Sequence, residues 1–261
     1  MSELILYAVA DGIATITFNR PQVMNALDAP SLRMFGALCE RAECDRAARV
    51  VVVRGAGAAF LAGGDVGSFK AQLANISGTV LDLTGELHRG ILALRRAPKP
   101  VIASVHGAVA GAGMSIMMAC DLIVAADDTQ FSMAYSRIAT SPDGGASWFL
   151  PRLVGYQKAM ELLLLSDGVD AATLQALGVV NRVVAPAALA SATLKLAQRL
   201  AAGPAGAYAE TKGLVNASMN QDLTQHLAAE GAAFARCAAQ ADFAEGVSAF
   251  VEKRKAVFSG K

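Results

Sequence analysis

The sequence lacks the features of a nucleic-acid binder, a metalloprotein or a disulfide-stabilised protein. Its 23 Lys and Arg against 22 Asp and Glu leave a formal net charge of +1, so no basic field attracts nucleic acid. The four cysteines form no CxxC pair and the three histidines no HxxH or HExxH spacing, so we expect no metal site. The cysteines are expected to be buried free thiols in a reducing compartment: Cys39, Cys44, Cys120 and Cys237.

Several motifs of nucleotide-binding and hydrolytic enzymes are also missing. The chain contains no GxxxxGK[ST] loop and no GxSxG elbow, and Gly111-x-Gly113 lacks the third glycine of a dinucleotide fingerprint. The N-terminus has no basic segment before an apolar run, so we expect a cytoplasmic protein without a signal peptide. Residues 101–126 are apolar but interrupted by glycines and Asp121, which favours a buried strand–helix–strand unit over a membrane span.

The chain has what a large packed domain needs, with 261 residues of which 54% are hydrophobic. Residues 4–9 and Ile13–Phe18 predict two strands joined by a tight Asp11-Gly12 turn. Strand and helix patterns alternate over the first two-thirds, and the last third is nearly all helical, so we predict an α/β fold with a helical C-terminal part. The other predicted strands cover 50–54, 101–105, 122–126 and 179–184, and Asp121 is predicted to open the strand over 122–126. The predicted helices are one over 28–44, helical segments up to Arg96 and a helix through 153.

Two glycine-rich loops each follow a short apolar strand and lead into a helix. The first contains Ala62-Gly63-Gly64-Asp65 and the second Ala110-Gly111-Ala112-Gly113. Glycine allows close backbone approach, and a helix N-terminus offers free N–H groups, so such a loop suits an anion or a developing oxyanion. The alternative for each loop is an ordinary tight turn.

Two aspartates next to glycines are candidate functional residues. Asp143 follows a proline and precedes Gly144 and Gly145, which fits either a reactive carboxylate or a turn and N-cap aspartate. For Asp65 we favour the turn role.

Six segments, in the same order, resemble the crotonase superfamily of enoyl-CoA hydratases and isomerases. The resemblance spans nearly the whole chain, and the segments together are highly specific. They are FNRPQVMNAL (18–27), FLAGGDV (60–66), PVIASVHG (100–107), AGAG (110–113), CDLIVA (120–125) and EGVSAFVEKRK (245–255).

The resemblance implies a spiral of ββα turns over residues 1–200 and a helical C-terminal region over 201–261 that forms a homotrimer or a dimer of trimers. It implies an acyl-CoA thioester as substrate, with no metal, flavin or nicotinamide cofactor. The backbone N–H groups of Gly64 and Ala112 would form the oxyanion hole. Coenzyme A or substrate contacts would come from Met24, Ala26, Ala62, Asp65, Val66, Gly111 and Tyr135. Phe250 and Lys253 would reach the adenine end, or else be an ordinary apolar position and a solvated one.

The sequence departs from the hydratase pattern at the two glutamates that activate water. Ser115 and Tyr135 stand at those positions, and neither is a carboxylate. The segment FSMAYSRIATSPDGG (131–145) resembles ring-epoxide phenylacetyl-CoA isomerases and 3-enoyl-CoA isomerases, in which an aspartate shuttles a proton. We therefore predict an isomerase with Asp143 as the base, its pKa raised if Met133, Ile138 and Trp148 line the pocket.

Three other functions stay open. The first is a hydratase in which Asp143 orients a water molecule, and the second is an acyl-CoA-binding protein without turnover. The third is dehalogenation, because the chain also resembles chlorobenzoyl-CoA dehalogenases, which use an aspartate at this position. Those enzymes have a tryptophan where this chain has Tyr135. They also use a partner histidine, which the sequence alone does not identify among His88, His106 and His226.

Overall fold

The structure is a computed structural model and describes residues 3–260. Six strands form the main sheet in the order β1-β2-β3-β4-β6-β9, in which β1 and β2 are antiparallel and all other neighbours are parallel. Three short strands form a second sheet in the order β5-β7-β8. The strands are β1 (Ile5–Ala10), β2 (Ile13–Phe18), β3 (Val50–Gly55), β4 (Val101–Val105), β5 (Ala108–Ala110), β6 (Leu122–Ala126), β7 (Gln130–Ser132), β8 (Val169–Asp170) and β9 (Arg182–Val184).

Helices connect the strands and fill the last third of the chain, as the sequence predicts. They are α1 (Ala29–Cys44), α2 (Val66–Lys70), α3 (Ile76–Arg96), α4 (Ala112–Ala119), α5 (Ala146–Val154), α6 (Tyr156–Leu165), α7 (Ala171–Ala176), α8 (Leu189–Ala201), α9 (Ala205–Ser218), α10 (Leu223–Ala238) and α11 (Ala241–Val251). None of the helices within residues 3–260 is both long enough and apolar enough to cross a membrane.

Local sequence signals explain the first elements. Asp11 and Gly12 both have positive φ, 51° and 74°, the conformation of the tight turn that matches the twist of a hairpin. Helix α1 begins with a capping box, since Asp28 accepts a hydrogen bond from Ser31 N and Ser31 Oγ accepts one from Asp28 N.

The central parallel strands β4 and β6 are buried along almost their whole length because both faces of the main sheet are covered. On one face, α8 packs Leu196 and Ala197 against Val52, Ile102 and Val124. The other face bears the main core, to which α1, α3 and α4 contribute. The loops that follow β3 and β4 therefore emerge at the same edge of a rigid sheet.

Four sequence predictions need correction. The strand predicted over 179–184 is confined to β9, because the N–H groups of Val179 and Val180 donate to Leu174 O and close the end of α7. Asp121 precedes β6 rather than opening it. The glycine turn over 107–113 contains the short strand β5. Among the cysteines, Cys39 and Cys120 are buried as expected, whereas Cys44 is exposed and Cys237 half-buried.

A buried ion pair fastens α9 to the sheet. Lys212 Nζ donates to Asp121 Oδ2 (2.7 Å) and to the carbonyl oxygens of Leu94 (2.7 Å) and Lys99 (3.2 Å). Asp121 Oδ2 also accepts from Val101 N at 2.8 Å, at the start of β4. These contacts hold the first helix of the C-terminal region against the core.

Replacing Lys212 by Met is expected to destabilise the protein, because it leaves the Asp121 carboxylate without its closest cation. Removing one partner of such a largely buried pair costs on the order of 2 kcal/mol after allowance for partial exposure. This corresponds to a fall in Tm of roughly 4–8 °C, measurable by differential scanning calorimetry. Lys195→Met, on the exposed face of α8, is the matched control, and an equal fall in both variants would contradict this role.

Candidate active site

The two glycine-rich loops are joined by backbone hydrogen bonds to Leu61. Leu61 N donates to Ala108 O (3.2 Å) and Ala110 N donates to Leu61 O (3.0 Å). A β-carbon added to Gly63 would lie 3.8 Å from Ala112 N. The segment that contains Gly64 therefore lies beside the N-terminus of α4.

Two N–H groups in these loops are free to bind a ligand. Among residues 3–260, the N–H groups of Gly64 and Ala112 donate no hydrogen bond to another residue. Ala112 is the first residue of α4, where N–H groups lack helical partners and the helix dipole is positive. Gly111, just before it, has φ 50° and ψ −119°, a conformation that glycine adopts without strain. The geometry suits the negatively charged oxygen of an enolate.

Asp143 is held beside the same helix by Tyr135 and Ser115. Tyr135 Oη donates to Asp143 Oδ1 at 2.7 Å. Ser115 Oγ lies 2.9 Å from Tyr135 Oη and 2.9 Å from Asp143 O. Ser115 follows Ala112 by three residues, or about one turn of α4, so the helix that begins at the free N–H of Ala112 also carries the side chain that holds the Asp143 backbone.

The environment of Asp143 favours a proton acceptor rather than a structural carboxylate. Burial raises its pKa above the ordinary value, against a smaller lowering by the Tyr135 hydrogen bond and by His88. The N-cap alternative is wrong, because α5 begins after Gly145 without a side-chain cap, whereas the turn alternative holds for the backbone, since Asp143 O accepts from Ala146 N at 3.0 Å. Within residues 3–260, no second carboxylate is hydrogen-bonded to Asp143, Tyr135 or Ser115.

The Tyr135 hydroxyl is expected to set the pH at which the site becomes active. A base works only when deprotonated, so activity should fall as the pH drops through the raised pKa of Asp143. Because the hydrogen bond from Tyr135 lowers that pKa, Tyr135→Phe should move the acidic limb of the pH–rate profile to higher pH. An unchanged limb in kcat/KM would contradict Asp143 as the titrating base.

The sequence did not single out His88 as a neighbour of Asp143, and the structure places it there, where its charge lowers the pKa of Asp143. Gly144 N donates to His88 Nε2 at 3.4 Å. Because Gly144 directly follows Asp143, the ring lies close to Asp143. His88 lies on α3, 55 residues before Asp143, and only the packing of α3 on the Gly144–Gly145 turn brings them together. A lone histidine on a helix carries no local signal of this kind.

The predicted coenzyme A contacts gather around Arg20, which sequence reasoning also missed. Arg20 donates to Ala26 O and forms ion pairs with Asp28 (3.1 Å) and Asp65 (3.5 Å). Ala62 N donates to Met24 O (3.1 Å), which joins that segment to the first glycine loop.

The side chains of Met24 and Val66 are exposed beside this cluster. Asp65 itself caps α2 by accepting from Ser68 N, as its turn role predicts. Its carboxylate is thus already engaged by the protein, while Met24 and Val66 offer apolar surface to a ligand.

The remaining predicted site residues are dispersed. Phe250 and Lys253 lie in and just after α11, both exposed, and no hydrogen bond or ion pair joins their side chains to the site within the described range. Met133 is buried and Ile138 is nearly half exposed, and neither lines the cavity that begins after Asp143. Trp148 lines that cavity, whose volume is about 720 Å³ and which begins at Gly144 and Gly145.

The fold brings together two adjacent glycine-rich loops, whose Gly64 and Ala112 N–H groups have no partner within residues 3–260, and the buried carboxyl group of Asp143. The chain belongs to the enoyl-CoA hydratase/isomerase family, whose model matches residues 8–261. It is 37% identical to a probable enoyl-CoA hydratase of Rhodobacter capsulatus, with 98% of both chains covered. It is 33% identical to the 1,2-epoxyphenylacetyl-CoA isomerase of Escherichia coli, over the full length of both chains.

The crotonase fold predicted from the sequence is confirmed by similarity to solved structures. A putative enoyl-CoA hydratase from Streptomyces coelicolor superposes with a TM-score of 0.94 at 34% identity, covering 99% of this chain and 95% of the other. Relatives named hydratase and isomerase lie at similar identity, so this similarity does not distinguish the two reactions.

Proposed function

We propose that the protein is an acyl-CoA isomerase that converts 3-enoyl-CoA thioesters to 2-enoyl-CoA thioesters. The observation that supports the proposal is the single carboxyl group at Asp143, with Tyr135 and Ser115 hydrogen-bonded around it. Water addition by the usual route uses two carboxylates, whereas moving a double bond needs only one group that accepts and returns a proton.

In this mechanism the thioester oxygen binds between the N–H groups of Gly64 and Ala112. Asp143 removes a proton from C2, and the resulting dienolate carries its charge on that oxygen. The two fixed N–H groups stabilise the charge as it develops. The protonated Asp143 then delivers the proton to C4, which gives the conjugated 2-enoyl thioester. Neither metal nor redox chemistry enters the proposed reaction.

The shuttle is tested with a 3-enoyl-CoA that carries deuterium at C2. Because one carboxyl group takes and returns the proton, part of the deuterium should appear at C4 of the product, as measured by NMR and mass spectrometry. Failure to form any 2-enoyl-CoA would overturn the proposal. Ring-derived acyl groups belong in the same assay, since the Escherichia coli relative is named for such a substrate.

A second candidate reaction is hydrolytic dehalogenation of a chlorobenzoyl-CoA, and His88 is the observation that favours it. This histidine accepts from Gly144 N, next to Asp143, and in this reaction it would act as the partner histidine that the sequence resemblance left unassigned. Tyr135 in place of tryptophan argues against it. Chloride release from 4-chlorobenzoyl-CoA, measured by ion chromatography, distinguishes it from isomerisation.

The proposed assembly is a homotrimer or a dimer of trimers in the cytoplasm. The support in this chain is a set of large apolar side chains exposed on the C-terminal helices: Leu223, Leu227, Phe234, Phe243, Val247, Phe250 and Val251. Apolar exposure of this extent marks a surface that binds another protein. Analytical ultracentrifugation should give a mass three or six times 26.9 kDa, and a monomer would contradict the proposal.

A further inference from the structure

A cavity that begins at Gly144 and Gly145, the two residues that follow Asp143, changes character along its length, and Asp143 itself does not line it. Near Gly144 and Gly145 its walls are apolar, with Ile91, Trp148 and Phe149. Its far end lies at the C-terminal end of α3 and against α9, where Arg95, Arg96 and Lys212 line it. Within the described residues, no Asp or Glu side chain lines this cavity.

The three cations at the far end differ in how well they are neutralised. Lys212 has three oxygen acceptors, including Asp121 Oδ2 at 2.7 Å. Arg96 pairs with Glu43 at 3.1 Å, and its side chain is 56% exposed. Among residues 3–260, the only acidic partner of Arg95 is Asp121, whose Oδ1 lies 3.8 Å away and which already pairs with Lys212. Arg95 therefore holds positive charge that the protein leaves largely unbalanced.

Arg95 is also held in one orientation with donors to spare. Its Nη2 donates to Asn216 Oδ1 on α9, and Asn216 Nδ2 donates back to Arg95 O at 2.9 Å. The guanidinium lies 5.5 Å from the centre of the Phe149 ring. A guanidinium has five N–H donors, and Arg95 uses one in a hydrogen bond within residues 3–260. Its side chain is 22% exposed and lines the cavity.

The distance along α3 between His88, which is close to Asp143, and Arg95 fits an acyl chain of medium length. His88 and Arg95 are seven residues apart on α3, which corresponds to about 10 Å along the helix axis. His88 lies next to Gly144, and thus close to Asp143. An acyl chain that enters the cavity past Gly144 and runs along Ile91 would bring its far end to Arg95.

We propose that Arg95 binds a carboxylate at the far end of the acyl chain, so that the preferred substrates are medium-chain acyl-CoA thioesters with a terminal carboxyl group. The reaction assumed in this inference rests on the proposed function. The preference for binding a ligand with a terminal carboxylate does not depend on it. The apolar walls would accommodate the methylene chain, and the free N–H groups of Arg95 would form a charge-assisted pair with the terminal oxygens.

The test compares 3-decenoyl-CoA with its counterpart of equal carbon number that ends in a carboxyl group. The wild-type protein should turn over the carboxylated substrate with about tenfold higher kcat/KM, since a hydrogen bond to a charged group contributes about that much. Arg95→Met should abolish this preference, so that within this variant kcat/KM for the carboxylated substrate is no higher than kcat/KM for 3-decenoyl-CoA. Arg96→Met is the matched control on the same cavity wall and should keep the preference.

A binding measurement separates this inference from the proposed reaction. Calorimetry with saturated decanoyl-CoA and its terminally carboxylated counterpart needs no turnover. A tenfold preference for the carboxylated ligand that is lost in Arg95→Met supports the inference even if neither 3-enoyl substrate reacts. A wild-type preference for the methyl-terminated ligand, or equal weakening of both ligands in Arg95→Met, would overturn it and leave Arg95 as a structural tether of α9.

Discussion

Asp143→Asn should lower the rate of 3-enoyl-CoA isomerisation by about 10²–10⁴-fold, the contribution typical of a positioned base. Asparagine has nearly the same shape and keeps an oxygen that accepts from Tyr135, but it cannot take the proton from C2. Binding of a saturated acyl-CoA should change little, because the Gly64 and Ala112 N–H groups are untouched. The rates are measured by following the conjugated thioester, and Asp128→Asn, at an exposed aspartate, is the control.

The loss should not come from unfolding. The folded-state pKa of Asp143 is raised, so its contribution to stability is present at low pH and is lost as the pH rises through that pKa. At neutral pH the charged carboxylate therefore opposes folding, and Asp143→Asn should have a Tm at least as high as that of the wild-type protein. An active Asp143→Asn variant would exclude this residue as the base.

Ala112→Pro should lower kcat by about 10²–10³-fold, because it removes one of the two N–H groups proposed to bind the thioester oxygen. Ala112 is the first residue of α4, a position where proline is well tolerated because its N–H has no helical partner. The variant thus deletes a donor with little cost to the helix.

Ala112→Gly is the matched control, since it changes the side chain and keeps the N–H. It should retain most of the activity. Equal rates for the proline and glycine variants would show that the Ala112 N–H does not stabilise the transition state. Circular dichroism on both proteins establishes that α4 and the rest of the fold are intact.

The sequence predicts those parts of the fold that depend on neighbouring residues. The Asp11-Gly12 turn, the Asp28 cap of α1 and the apolar runs of β3 and β4 all carry local signals, and each lies where it was predicted. The end of α7 was misread as strand because Val179 and Val180 are β-branched and apolar. Their N–H groups close a helix instead.

The candidate site was predictable only through the family resemblance and only in part. Asp143 and the two glycine loops lie in recognisable segments, whereas His88, Arg20 and Arg95 acquire their partners through contacts distant in sequence. His88 meets Gly144 across 56 residues, and Arg95 meets Asn216 across 121. Pairings of that kind are set by the packing of α3 and α9 and leave no periodic pattern in the chain.

The central claim, that one carboxyl group moves a proton without adding water, is tested most directly in heavy-oxygen water. The protein is incubated separately with a 3-enoyl-CoA and a 2-enoyl-CoA, and the products are followed by mass spectrometry. We predict conversion of the 3-enoyl-CoA to an isomer of unchanged mass and no gain of labelled water by the 2-enoyl-CoA. Formation of a labelled 3-hydroxyacyl-CoA would contradict the account and show that Asp143 activates water without a second carboxylate.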